Sequence, residues 1–154
     1  MDALIRAFNE KGIRYLLIGG QAVRLEGMPR FSMDWDFYIP PRDIENFKRL
    51  NALLESEVEE PIVPLGTKGE HFVQTYQTRW GILQFHLGGP GLPEFDKVFI
   101  TSVWHKTESG VSVRCLSGRD LLASKQKTNR PQDQNDIRFL EKKAECGLLG
   151  GPQS

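Results

Sequence analysis

The chain has 154 residues, with 20 Lys and Arg against 20 Asp and Glu, so its formal net charge is zero. That balance excludes a generally basic nucleic-acid binder and leaves room only for a local basic patch. With 39% hydrophobic and 26% charged residues, the composition is that of one soluble globular domain large enough to bury a core.

In chain order, Asp2–Lys11 reads as a helix, with Leu4, Ile5 and Phe8 on one face and Gly12 as its stop. Tyr15–Ile18 is a short apolar run suited to a central strand. Gly19-Gly20 breaks it, Gln21–Glu26 reads as a short helix, and Gly27 and Pro29 stop that helix. A second strand follows over Ser32–Ile39. Pro40-Pro41 ends it, and a long helix runs from about Asp43 to Glu55, with Asp43 placed to cap it. Ile62–Leu65 reads as a short edge strand, because Pro61 and Pro64 disfavour a central place. Phe72–Tyr76 and Gly81–Leu87 read as antiparallel strands, and Gly88-Gly89-Pro90-Gly91 as a plain connector. Glu94–Ile100 reads as a short helix, Val103–Thr107 and Val111–Cys115 as a hairpin, and Arg119–Lys127 and Pro131–Ala144 as two final helices. The expectation is one domain over residues 1–146 and a loose tail over 147–154. Its fold class is α/β (α+β), a mixed sheet of about five strands with helices mainly on one side. Cys115 and Cys146 lack metal-ligand spacing and read as reduced thiols of a cytoplasmic protein. The sequence has neither a signal-peptide core nor an apolar run of membrane-spanning length.

The second strand carries the chemistry. Alternation puts Met33, Trp35, Phe37 and Ile39 on one face and Ser32, Asp34, Asp36 and Tyr38 on the other. Carboxylates at i and i+2 on one strand face repel, and Asp is a poor strand former. Such a pair fits a hard cation between them, such as Mg²⁺ or Mn²⁺, which accepts one or two carboxylates and completes its shell from water and phosphate. The plainer reading is an amphipathic strand with a solvated acidic face. The Gly19-Gly20 turn upstream lets a ligand approach the main chain and weakens that reading. It would also offer backbone N–H groups to a phosphate. Arg30, just before the strand, suits either a phosphate or Asp34.

Gly19-Gly20, a short helix, and then Arg30-x-Ser32-x-Asp34-x-Asp36 resemble the signature of the DNA-polymerase-β-like nucleotidyltransferase superfamily. The likeness is strongest to its small bacterial and archaeal members, including toxin-type proteins of abortive-infection (toxin-antitoxin) systems. Leu116-Ser117-x-x-Asp120-Leu121-Leu122-Ala123-Ser124-Lys125, followed by Arg130-Pro131-x-Asp133-x-x-Asp136-Ile137, resembles the family's C-terminal helices. The likeness spans roughly residues 3 to 140. It implies an Mg²⁺-dependent transfer of a nucleoside monophosphate from an NTP, such as ATP, to a hydroxyl of a protein, a tRNA or a small molecule. Asp34 and Asp36 would be the metal ligands and catalytic carboxylates. Gly19, Gly20, Arg30, Ser32 and Lys125 would bind the nucleotide. Lys125 otherwise reads as a lysine that snorkels to solvent along its stem. Arg130, Asp133 and Asp136 would orient the last two helices.

One position departs from the family pattern. Active members carry a third carboxylate on a later strand, and here the matching position in Gly81–Leu87 is Gln84, with His86 two residues on. Glutamine offers only a neutral oxygen. His86 suits a base, a transition-metal ligand or an ordinary strand residue. Three readings follow. The first is an enzyme. The second is a catalytically impaired regulatory or toxin-antitoxin component on the same fold, acting through a protein partner or as a homo-oligomer. The third is an unrelated α/β domain that binds Mg²⁺ and a sugar nucleotide. None involves a membrane.

Overall fold

The computed structural model describes residues 1–149. Its elements are α1 (Asp2–Glu10), β1 (Leu16–Ile18), α2 (Gly19–Leu25), β2 (Asp34–Tyr38), α3 (Ile44–Leu54), β3 (Val73–Thr78), β4 (Gly81–His86), α4 (Phe95–Ile100), β5 (Val103–Lys106), β6 (Ser112–Cys115), α5 (Gly118–Thr128) and α6 (Gln134–Glu145). A 3₁₀ turn over Pro131–Asp133 leads into α6.

The sheet grows outward from β1, whose three residues are all buried. β2 pairs with it antiparallel on one side and β6 parallel on the other. β4 lies parallel to β2, and β3 closes that end antiparallel to β4. β5 closes the other end antiparallel to β6. The order β3-β4-β2-β1-β6-β5 makes a mixed sheet of six strands, one more than the sequence suggested. Both hairpins join a single sheet because β6 adds directly to β1 at Leu17 and Cys115.

The core begins with α1, which turns Leu4, Ile5 and Phe8 inward. Phe8 packs against Tyr15 and edge-on to Phe37, and Phe37 stacks on Phe85 with ring centroids 5.8 Å apart. This aromatic column runs across β2 and β4 on one face of the sheet and leaves the opposite face, with Asp36, to the cleft. Burial pushes the Tyr15 hydroxyl up to about 12. Asp43 caps α3 by accepting from the Asn46 backbone N–H.

Three local expectations are corrected. Residues 62–65 are not a strand. Pro61 and Pro64 remove two N–H groups from any ladder, and side-chain amides pair with the backbone instead: Asn51 exchanges two hydrogen bonds with Ile62, and Gln74 exchanges two with Val63. The helix after β1 begins at Gly19, not Gln21. The chain turns at Gly19 itself, whose φ of +70° suits glycine. Pro131 opens a 3₁₀ turn that precedes the last helix rather than the helix itself. Of the tail expected over 147–154, residues 150–154 lie outside the described residues, and Leu149 is buried. Among the described residues, no helix is long and apolar enough to cross a membrane.

Candidate functional site

Register assembles the site. Asp36 lies opposite Ile18 on β1 and opposite Gln84 on β4. The end of β1, the middle of β2 and the middle of β4 therefore meet at one carboxylate. A Cβ added at Gly19 would lie 2.6 Å from Asp36 Oδ2, and one at Gly20 would lie 2.7 Å from Ser32 Oγ and 3.0 Å from an Arg30 guanidinium nitrogen. The two glycines thus let the first turn of α2 sit directly on Asp36, Ser32 and Arg30. Gln21 fixes the approach from the other side, donating to the Ser32 carbonyl at 2.9 Å. Asp34 shares the strand parity of Asp36 and lies opposite Ile82, two residues toward the start of β2.

His86 joins the site through Asp36, its Nε2 lying 2.8 Å from Asp36 Oδ1. That contact occupies one carboxylate oxygen and leaves Oδ2, on the Gly19 side, without a hydrogen-bond partner among the described residues. With Oδ2 free and Asp34 on the same face, the donor set fits one Mg²⁺ or Mn²⁺ ion whose remaining ligands are phosphate and water. Gln84 adds no charge opposite Asp36. Among the described residues, no cluster of three or more His, Cys, Asp or Glu side chains forms a metal cage.

The cations near the site belong to a ladder of alternating charge. Arg30 Nη1 donates to Asp136 Oδ2 at 2.5 Å, and Lys125 Nζ lies 3.1 Å from the same oxygen. Lys125 also reaches Asp133 Oδ1 at 3.2 Å, and Arg130 grips both oxygens of Asp133 at 2.8 and 3.1 Å. Both carboxylates are buried. Burial works to raise the Asp133 carboxyl, but the Arg130 hydrogen bonds and the Lys125 charge outweigh it and hold the group below its ordinary value. Arg30 therefore pairs with Asp136, not with Asp34. Lys125 does not snorkel to solvent, since its side chain is 12% exposed.

A cleft of about 690 Å³ opens beside these groups. Gly19, Asp36, Gln84 and His86 form its floor, while Lys125 and Arg130 approach from α5 and the turn after it. Gly20, Arg30, Ser32 and Asp34 lie outside its immediate wall. The Gly88–Gly91 segment, read from sequence as a plain connector, borders the cleft as well. Gly91, at φ +84°, packs this loop against α5, where a Cβ would lie 2.8 Å from the Ser124 carbonyl oxygen.

No protein-family profile matches the chain, and no curated protein matches it. Solved structures do. One is a candidate nucleotidyltransferase, TM1012 of Thermotoga maritima, with a TM-score of 0.65 and 12% identity over 92% of this chain and 89% of that one. Another is the lincosamide antibiotic adenylyltransferase LnuA with lincomycin bound, with a TM-score of 0.61 and 17% identity over 90% of this chain and 92% of that one. The chain has a nucleotidyltransferase-like fold.

Within this fold, sequence reasoning missed two features of the cleft. One is the His86–Asp36 contact. Parity places both side chains on the cleft face of neighbouring strands, but only register shows that they meet. The other is Arg130, read as a helix-orienting residue, which walls the cleft as well as gripping Asp133. Its position depends on a chain reversal at Asn129, which adopts left-handed backbone with φ +46° and ψ +45°. Asparagine tolerates that conformation, yet nothing in the sequence singles out Asn129 over its neighbours.

Proposed function

We propose that this protein is a nucleotidyltransferase that binds an NTP with Mg²⁺ in the cleft over β2 and β4. It moves the nucleoside monophosphate to a hydroxyl of a small-molecule acceptor. The observation that carries this reading is the contact of Gly19-Gly20 with Asp36, Ser32 and Arg30. A tight glycine turn against a carboxylate strand is what a triphosphate with one divalent ion requires. LnuA, an adenylyltransferase of the same fold, holds a small antibiotic. The cleft of about 690 Å³ has the volume of a site for a ligand of that size.

Each residue has a task in that reading. Asp34 and Asp36 Oδ2 would hold the ion, with Mn²⁺ accepted by the same oxygens. When bound there, such an ion would supply positive charge to the phosphate oxygens. In the in-line displacement the acceptor oxygen would bond to the α-phosphorus and lose its proton to solvent, while the bond to the bridging oxygen breaks and pyrophosphate leaves. Gly19 and Gly20 admit the phosphates close to the backbone, and Ser32 Oγ offers a hydroxyl beside them. His86 holds Asp36 through Oδ1 and so keeps Oδ2 turned toward Gly19. Lys125 and Arg30 add positive charge, held in place by Asp136.

Gln84, in register with Asp36, favours a second reading. It lacks the charge that would offset a second metal ion and the basicity to take the acceptor's proton. The same site would then bind nucleotide with slow or absent transfer, as in a regulatory or toxin-antitoxin component. One experiment separates the two. Labelled NTP is incubated with wild type, Gln84→Asp and Asp34→Ala, with aminoglycoside- and lincosamide-type alcohols, tRNA and cell protein as acceptors. Wild-type transfer abolished by Asp34→Ala supports the enzyme. Transfer gained only in Gln84→Asp supports the impaired form. Wild-type transfer that survives Asp34→Ala would sink the metal-site reading.

A further inference from the structure

We infer that Arg130 is a nucleotide-binding residue that contacts the triphosphate, with Asp133 acting as the positioning residue behind it. The inference rests on the nucleotide reading above and adds a residue that reading leaves out.

The first argument is charge. The ladder Arg30–Asp136–Lys125–Asp133–Arg130 holds three cations against two carboxylates, which leaves one positive charge. Lys125 sits between both carboxylates and its side chain is 12% exposed, so its charge is the most fully answered. Arg130 stands at one end of the ladder, shares its single carboxylate with Lys125, and has a side chain 56% exposed. Arg30, at the other end, has a side chain 30% exposed and does not line the cleft, so the surplus charge faces the cleft at Arg130.

The second argument is geometry. Arg130 spends Nε and Nη2 on the fork to Asp133 and leaves Nη1 without a hydrogen bond among the described residues. It walls the same cleft as Asp36, Gln84 and His86. A guanidinium fixed along one edge and free on another presents a pre-oriented donor to a phosphate oxygen, which a lone lysine does not.

The third argument is the backbone. The pair joins a half-exposed guanidinium to a buried carboxylate, and the chain takes several measures to place it. Asn129 adopts left-handed backbone, Pro131 holds residue 130 extended, and Gln134 Nε2 donates to both the Asn129 side chain and the Arg130 carbonyl, at 2.9 and 3.1 Å. Non-glycine residues persist at positive φ where their surroundings over-determine them.

The test compares wild type, Arg130→Gln and Arg130→Lys by calorimetry with Mg²⁺ and each of ATP, GTP, CTP and UTP. The matching nucleoside is titrated in parallel, and urea unfolding is followed for each protein. For the best-bound NTP, Arg130→Gln should weaken affinity about tenfold, the scale of one charge-assisted hydrogen bond, and leave nucleoside affinity unchanged. Arg130→Lys, which keeps the charge and loses the fork, should fall between, and it decides the matter if Arg130→Gln does not fold. Equal loss for NTP and nucleoside, or no loss for either, overturns the role of Arg130 while wild-type binding preserves the nucleotide reading. Wild type that binds none of the four NTPs overturns both.

Discussion

Gly19→Ala tests how closely the α2 turn and the carboxylate strand are joined. The substitution meets two obstacles. Gly19 has φ +70°, and an L-residue in left-handed backbone costs about 1–2 kcal/mol. The new Cβ would also lie 2.6 Å from Asp36 Oδ2. A flexible side-chain end can usually swing aside, but Asp36 is held at its other oxygen by His86 at 2.8 Å. Moving Oδ2 gives up that hydrogen bond, for about another 1–2 kcal/mol. The expected loss is therefore about 2–4 kcal/mol. Gly12→Ala supplies the reference, because Gly12 has φ +65° and nothing within 4 Å of its Cβ position. It should lose only the backbone component, about 1–2 kcal/mol. Urea denaturation of both variants isolates the difference. Repeating Gly19→Ala in a His86→Ala background should shrink that difference, since Asp36 is then free to rotate. A Gly19→Ala protein no less stable than Gly12→Ala, or a cycle with no coupling to His86, would refute the reasoning.

Asp136→Asn leaves Arg30 without a carboxylate partner and Lys125 with Asp133 alone, and should cost about 3 kcal/mol, measured by urea unfolding; a loss below about 1 kcal/mol would show the ladder to be dispensable. With a bound NTP, wild type should take up one Mn²⁺ per chain by electron paramagnetic resonance, and Gln84→Asp a second, weaker one; two ions in wild type would contradict the single-ion site. Burial works to raise the Glu26 carboxyl, but hydrogen bonds from His105 and Lys143 outweigh it and hold the group below its ordinary value of 4.5. Its stabilising contribution is therefore fully present above 4.5 and lost as pH falls through the lowered folded value. Glu26→Gln should flatten the acid limb of a plot of urea midpoint against pH, and an unchanged limb would place the acid sensitivity elsewhere.

Most of the fold was legible because its signals are local. The apolar spacing of Leu4, Ile5 and Phe8, the Asp43 cap and the alternation through Phe37 and Tyr38 each act within one element, and each element formed near its expected place. The failures arose where partners are distant in sequence. Residues 62–65 pass for a strand until Asn51 and Gln74 pair with the backbone that a neighbouring strand would have held. That the last hairpin joins the same sheet follows from the register of Leu17 with Cys115, which no local pattern encodes.

The candidate site divides along the same line. Parity alone put Asp34, Asp36 and Ser32 on one face, and parity also put Gln84 and His86 together on another strand. It could not say that β4 runs parallel to β2 with Gln84 level with Asp36, and that register brings His86 close enough to take one of the two Asp36 oxygens. The consequence is chemical. A carboxylate with both oxygens free can bridge two ions, whereas one whose Oδ1 accepts from a histidine has Oδ2 alone to offer a cation. In the proposed metal site, Gln84 would bring no charge to a second ion, and His86 would engage the oxygen that could reach it. Gln84 and His86, on one strand, would therefore press the proposed site toward a single ion. Gln84→Asp should then gain more in the His86→Ala background than alone, and the interaction energy between the two positions, read from Mn²⁺ affinities at fixed pH, measures how far they act on the same oxygen. Strict additivity would mean that the histidine leaves Asp36 free to bridge, and the second ion would then depend on Gln84 alone.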